Sequence, residues 1–242
     1  MICCVAAQAS AARNIGRVIV ATDDQRIVAA VEAEGFEARL TSPNHASGTD
    51  RLAEVVSAMD EEIIVNVQGD EPLISPDTIE CAVNLLVANP HAGITTTWEP
   101  VETAADVLNP DLVKIVMDDF GRAVYFSRAP VPWPRDVVRR YGSIDAALKS
   151  VPSLLSTFRK HTGLYVYRRE VLLNFTKWPP TALERQESLE QLRALENGVE
   201  ILAIEASSPS IGVDTQEDLE RVREIVSATR VATPKTQVLS GA

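Results

Sequence analysis

The chain has no apolar run of about 18 residues or more, the length a membrane-crossing helix needs. Its apolar beginning, MICCVAAQAS, lacks the positive flank of a secretory signal. Neither a membrane span nor an export signal is expected, and the cytoplasm is the expected compartment. Cysteine is scarce: Cys3, Cys4 and Cys81 are an odd number without metal-ligand spacing, and they read as small core residues of a reduced protein. Positive charge is also in short supply. Lysine and arginine number 23 against 34 acidic residues, and the net charge of −11 speaks against nonspecific nucleic-acid binding and against a basic membrane-facing surface. An anionic ligand must instead meet a local group of arginines. No internal repeat is present.

What is there is 242 residues with 45% hydrophobic content, enough to bury a sizeable core. Short β-branched runs alternate with helical patterns: RVIVAT, DDQRIVAAVEAEG, FEARLT, TDRLAEVVSAM, IIVNV and PDTIECAVNLLVANP fill residues 17–90. Such alternation indicates βαβ units, an α/β fold and a mostly parallel sheet. Further strands are expected at 93–100, 113–118, 123–128, 161–168 and 199–206. A Pro- and Arg-rich stretch around residues 130–144 reads as an excursion from the sheet, and DTQEDLERVREIVSAT as a charged amphipathic helix. One domain over 1–229 is expected, with a loose tail over 230–242.

Three short constellations stand at element junctions. IIVNVQGDEPLISP runs a strand into adjacent carboxylates, Asp70 and Glu71, between a glycine and a proline. In an open α/β sheet, ligands gather at the carboxyl ends of strands. Asp70 there suits Mg²⁺, which takes one or two protein carboxylates plus phosphate oxygens. A plain turn fits the same residues, with Ser75 and Pro76 opening the next helix. In HASGTDR, Ser47 and Asp50 have capping-box spacing, while amides freed by Gly48 can meet an anion or a base carbonyl; capping alone leaves Arg51 unexplained. In GVDTQEDLER, Asp214 with Glu217 also fits a capping box, and Asp214 can share a cation with Asp70 only if folding brings the two together.

Taken in order, VIVATDD, HASGTDR, VNVQGDEPLI, VKIVMD, YFSRAPVPWPR, KHTGLYVYRR, LERQESLEQLR and GVDTQEDLERV resemble the 3-deoxy-manno-octulosonate (Kdo) cytidylyltransferases, from Met1 to about residue 226. The resemblance implies a Rossmann-like nucleotidyltransferase fold whose excursion serves a homodimer. It also implies an enzyme that couples CTP to Kdo with loss of pyrophosphate, uses Mg²⁺ and serves lipopolysaccharide synthesis. By resemblance Asp70 and Asp214 are the metal carboxylates. Ser47, Gly48, Thr49, Arg51 and Gln68 line the nucleotide, and Arg128, Trp133, His161, Tyr165, Glu184, Glu187 and Gln191 line the sugar. Arg128 would offer a forked pair of donors to the sugar carboxylate, and Glu187 and Gln191, four apart on one helix, would present a polar face to hydroxyls. Structural roles remain open for each: a strand histidine, core or interface aromatics, a solvated helix face.

The departure from the family lies at the start. Relatives begin with an apolar strand and an Arg/Lys-bearing loop that grips the triphosphate; here Met1-Ile2 aligns with the start of the family's first helix. The expectation is a reading frame that begins upstream, and an unpaired strand edge at VIVAT in the chain as it stands. Two other readings follow: a sugar-binding or dimer-partner form with impaired catalysis, and a cytidylyltransferase for another acid sugar.

Overall fold

The computed structural model describes residues 1–213 and 215–232. The chain opens with α1 (Ile2–Ala11), then β1 (Ile19–Thr22), α2 (Gln25–Ala33), β2 (Glu37–Leu40), α3 (Gly48–Ser57), β3 (Ile63–Asn66), α4 (Pro76–Ala88) and β4 (Ile94–Pro100). The alternation then loosens through α5 (Ala104–Leu108), β5 (Lys114–Met117), β6 (Ala123–Ser127), α6 (Arg135–Tyr141), α7 (Ile144–Ser150) and a 3-10 turn at Pro152–Thr157. It closes with β7 (Arg159–Arg168), α8 (Arg169–Phe175), α9 (Ala182–Glu187), α10 (Gln191–Glu196), β8 (Ile201–Glu205) and α11 (Gln216–Ala232). Every strand expected from hydrophobic pattern is present. α11 continues past the expected start of the tail, and residues 233–242 lie outside the described residues.

Local caps explain several boundaries. Asp24 accepts from the Arg26 amide at 2.8 Å to start α2, and Gly35 at φ 82° supplies the left-handed residue just beyond its end. At α4, Pro76 stands in the first turn as expected, but the Ser75 side chain makes no capping bond. At α11 the reciprocal cap falls one residue later than the spacing suggested. Thr215 Oγ1 accepts from the Asp218 amide at 3.1 Å, and Asp218 accepts from the Thr215 amide at 2.9 Å.

The sheet is mixed α/β, as expected, but its pairing is not mostly parallel. Six strands are joined in the order β6-β5-β7-β4-β8, with β3 also on β7. β3, β4 and β5 each run antiparallel to β7, β8 runs parallel to β4, and β6 antiparallel to β5. Four of the six strands therefore point one way. The late strand β7 lies among them and reverses the sense of each pair it joins. Its alternation splits the core: Tyr165 and Tyr167 face one side with Phe126, Leu172 and Leu192, while Leu164 and Val166 face the other with Ile79 and Leu86.

Between β6 and β7 the chain leaves the sheet, through a cis Val131–Pro132 bond, α6, α7 and the 3-10 turn, as the Pro/Arg-rich stretch suggested. This excursion packs against α5 in a small core of its own, in which Ala147, Leu148, Leu154 and Phe158 are buried with Val107 of α5.

β1 pairs with β2 alone, in parallel, forming a separate two-stranded sheet. The other edge of β1 and the edge of β3 away from β7 have no strand partner among the described residues. Between them lies a cleft of about 820 Å³, lined by Val18, Ile19, Val20, Ile63, Ile64, Val65 and the α1 residues Ile2, Val5 and Ala6. The open edge expected at VIVAT is thus present.

Candidate active site

The carboxyl end of β3 and one face of β7 carry Gln68, Asp70, His161 and Tyr165, while α3, the end of β6, α9 and α10 carry most of the other expected residues. Ser47 caps α3 by accepting from the Asp50 amide at 3.2 Å. From the first turn of α3, Thr49 Oγ1 donates to Glu190 Oε2 at 2.8 Å, joining the expected nucleotide segment to the expected sugar segment. Arg51 does not reach back toward the cap. Its Nη1 donates to Thr41 Oγ1 at 2.5 Å and its Nη2 pairs with Asp23 at 3.1 Å. A Cβ on Gly48 would meet nothing within 4 Å, so no packing constraint accounts for that glycine.

Past β3, Gln68 lies across β7 and donates to the Gly163 carbonyl at 3.5 Å. A Cβ at Gly163 would stand 3.0 Å from Gln68 Cγ, a contact tight enough that the Gln68 side chain would have to give by a few tenths of an ångström. The two carboxylates that follow divide their work. The half-buried Asp70 side chain accepts no hydrogen bond from the described residues, whereas its carbonyl accepts from the Val213 amide at 2.9 Å. Glu71 is engaged: Ser210 Oγ donates to it, and burial pushes its carboxyl up, with Asp70 and Glu99 nearby adding to the effect. Glu99, itself buried, accepts from the Ser210 amide at 2.9 Å and pairs with Lys160 at 2.6 Å. Glu71 and Glu99 therefore pin the loop before α11, and the Val213 bond ties that loop to Asp70. Asp214, the other expected metal carboxylate, lies outside the described residues.

On the same face of β7, His161, Tyr165 and Tyr167 form a stripe, with ring centroids 5.3 and 5.8 Å apart. Phe126 meets the His161 ring edge-on at 5.0 Å. Burial pulls the His161 imidazole down to about 3 and raises the Tyr165 phenol well above its usual range. Thr96 Oγ1 stands 2.8 Å from His161 Nε2 and 2.7 Å from the Leu164 carbonyl.

The expected sugar residues on the LERQESLEQLR segment are rearranged. Glu187 and Gln191 do not share a helix, because α9 ends at Glu187, Ser188 turns left-handed at φ 53°, and α10 begins at Gln191. Glu187 accepts from Ser127 Oγ at 2.7 Å, the Arg128 amide at 2.9 Å and Tyr125 OH at 3.3 Å. Burial pushes its carboxyl up, but those donors outweigh it and the Arg128 charge adds to them, so the carboxyl sits below its ordinary value. Arg128 does not hold out a free fork. It donates to the carbonyls of Glu187 at 2.8 Å, Pro110 at 3.0 Å and Ser188 at 3.4 Å, three of its five N–H donors. Glu184 is a helix clamp. Both of its oxygens accept from Arg193, one at 2.8 Å, and it also accepts from the Thr181 amide at 3.0 Å. Trp133 is 53% exposed on the excursion, and Gln191 is buried in the first turn of α10.

The family model for cytidylyltransferase matches residues 1–201. A 3-deoxy-manno-octulosonate cytidylyltransferase of Geobacter sulfurreducens is 51% identical over 213 residues, 88% of this chain and 83% of the relative. One of Pseudomonas syringae pv. syringae is 48% identical over 87% of this chain and 82% of its own length. The chain belongs to the 3-deoxy-manno-octulosonate cytidylyltransferase family. The solved structure of a CMP:2-keto-3-deoxy-manno-octonic acid synthetase complexed with CTP superposes with a TM-score of 0.83 at 36% identity, covering 94% of this chain and 88% of that one. A 4-diphosphocytidyl-2C-methyl-D-erythritol synthase from Anaerococcus prevotii, at 14% identity and a TM-score of 0.56, shares the fold alone.

In this cytidylyltransferase, a nucleotidyltransferase by family, several site residues carried no signal that sequence reasoning used. Thr96 sits in a TTT run that reads only as strand. Glu99, Lys160, Glu190 and Ser210 are common surface types whose partners are distant in the chain, Thr49 to Glu190 spanning 141 residues. Glu71 did carry a signal, since it stands beside Asp70 as one of two adjacent carboxylates at the end of a strand.

Proposed function

We propose that this chain transfers the cytidylyl group of CTP to Kdo, releasing pyrophosphate and forming the CMP-sugar used for lipopolysaccharide synthesis. The observation that carries this reading is the bond from the Val213 amide to the Asp70 carbonyl. It joins the loop after β3 to the chain just before Asp214, where the reading needs two carboxylates together. The substrates follow from the printed names of the relatives, including the one complexed with CTP.

The anomeric hydroxyl of the sugar would attack the α-phosphorus in line, forming the new P–O bond as the bond to pyrophosphate breaks and the hydroxyl proton leaves. Asp70 fits a hard cation: it is an oxygen donor, half-buried, with no hydrogen bond from the described residues. Asp70 and Asp214 would hold Mg²⁺, which when bound would neutralise phosphate charge and acidify the attacking hydroxyl. Ser47, Gly48, Thr49, Arg51 and Gln68 would meet the nucleotide. Arg128 would offer its two remaining N–H donors to the sugar carboxylate, and His161, Tyr165, Glu187, Gln191 and Trp133 would complete the sugar side. Glu184 would act through Arg193 by fixing α9 against α10. The reaction belongs in the cytoplasm, where CTP is available, and no described helix is long and apolar enough to cross a membrane. The exposed Trp133 and Tyr141 on the excursion suit a homodimer contact.

A second reading, a sugar-binding form without efficient transfer, is favoured by the cleft. The arginines that line it, Arg17 and Arg51, are already paired with Glu37 at 2.8 Å and Asp23 at 3.1 Å, which leaves little free positive charge for a triphosphate. Pyrophosphate release from CTP and Kdo with Mg²⁺ decides. Turnover by the wild type, with a loss of at least about a hundredfold in Asp70→Asn and in Asp214→Asn, supports the enzyme. Unchanged turnover in both variants removes the metal role. No turnover by the wild type, with calorimetric binding of Kdo but not CTP, favours the second reading.

A further inference from the structure

The one threonine proton on Thr96 Oγ1 can go to only one neighbour. Of its two close partners, the Leu164 carbonyl at 2.7 Å can only accept, while a neutral imidazole nitrogen can do either. The hydroxyl must therefore donate to Leu164, and His161 Nε2 must carry the hydrogen that Thr96 Oγ1 accepts. The opposite assignment would set two oxygen lone pairs against each other at hydrogen-bond distance inside the sheet. The β4–β7 register shifts between Thr96 and Trp98, so this contact sits beside a bulge in the ladder. Thr96 is itself fully buried, with no water-facing alternative for its hydroxyl.

We propose that Thr96 is a positioning residue that holds His161 as the neutral Nε2–H tautomer, so that Nδ1 offers a lone pair to a hydroxyl of the acid-sugar substrate. The assignment of that ligand rests on the function proposed above; the tautomer does not. Nδ1 has no hydrogen-bond partner among the described residues. The ring is already locked by Phe126 and Tyr165 on its faces and edge, so the tautomer is the remaining variable. The ring stays neutral at physiological pH because its burial opposes protonation, so it neither repels a cation nor attracts the sugar carboxylate. A fixed acceptor selects for a hydroxyl donor at that position of the sugar. A substrate analogue with an ether there leaves the lone pair facing another lone pair, and buried polar mismatch of this kind discriminates strongly.

Nitrogen-15 NMR of the His161 ring, read on the wild type, Thr96→Val and Thr96→Ser, tests the first half without any turnover. The wild type and Thr96→Ser should show a protonated Nε2 and an unprotonated Nδ1, and Thr96→Val should lose that preference. Steady-state kinetics test the second half. Thr96→Val should raise the KM for Kdo by roughly tenfold or more, leave the KM for CTP unchanged, and be rescued to within about threefold by Thr96→Ser. Equal thermal midpoints of Thr96→Ser and the wild type would make the serine rescue a test of the hydroxyl rather than of folding. A protonated Nδ1 in the wild type overturns the proposal, as does a Thr96→Val enzyme whose KM for Kdo matches the wild type. If the NMR is as expected but the wild type does not turn over Kdo, the functional reading falls and the tautomer assignment stands.

Discussion

His161 links the site to stability through its surroundings. Its folded ring takes a proton only near pH 3, against an ordinary value of 6.5. Between those values the unfolded chain binds a proton that the folded ring refuses, so stability is lost as pH falls from about 6.5 toward 3 and is unaffected above. From pH 7 to pH 5 this single group should account for at most about 2 kcal/mol. Urea unfolding at both pH values checks it: His161→Phe should lose less stability on acidification than the wild type, and equal losses would show that the ring is not held neutral. The residue itself stood out in HTGLYVYR. Its neutral state did not, because that comes from Phe126, Tyr165 and Thr96, residues contributed by β6, β7 and β4.

Among the elements, α9 and α10 show how a local pattern can mislead. The spacing of Glu187 and Gln191 suits one continuous helix, and nothing in RQESLEQ forbids it. The helix breaks at Ser188, whose φ of 53° is uncommon for a residue other than glycine. Two contacts hold it there: Glu187 is drawn to the end of β6 by Ser127 and Arg128, and Glu184 is clamped to Arg193, whose guanidinium also lies 4.4 Å from the Phe175 ring centroid. The Glu184–Arg193 pair is about nine-tenths buried on both sides. Arg193→Met would leave a buried carboxylate uncompensated and should cost about 3–5 kcal/mol, read by denaturant unfolding. A smaller loss, under about 1 kcal/mol, would mean that the pair is not what fixes the break. One cap, by contrast, was legible: Ser47 does cap α3 through the Asp50 amide, because a cap depends only on residues three apart, whereas the expected Ser75 cap does not form and the α11 cap falls one residue later.

Across the whole molecule, the sheet is tightest at its centre and open on one side. β7 and β4 are each paired on both edges, whereas β1 and β3 face each other across the cleft, each with one edge that no described strand pairs. Hydrogen exchange should follow this division, with amides of Ile19–Thr22 and Ile63–Asn66 exchanging roughly a hundredfold or more faster than those of Val166 and Thr95. Uniform protection of all four strands would mean that the cleft closes in solution. Element types and their order could be read along the chain, because apolar period, caps and turn residues act over a few positions. The family could be read the same way, from motifs kept in sequence. Which strand lies between β3 and β4, what occupies the donors of Arg128, and how Glu71 and Glu99 hold the loop that meets Asp70 came from folding alone. Those contacts join residues 18 to 139 positions apart, and no local periodicity reports which distant partner a side chain will find.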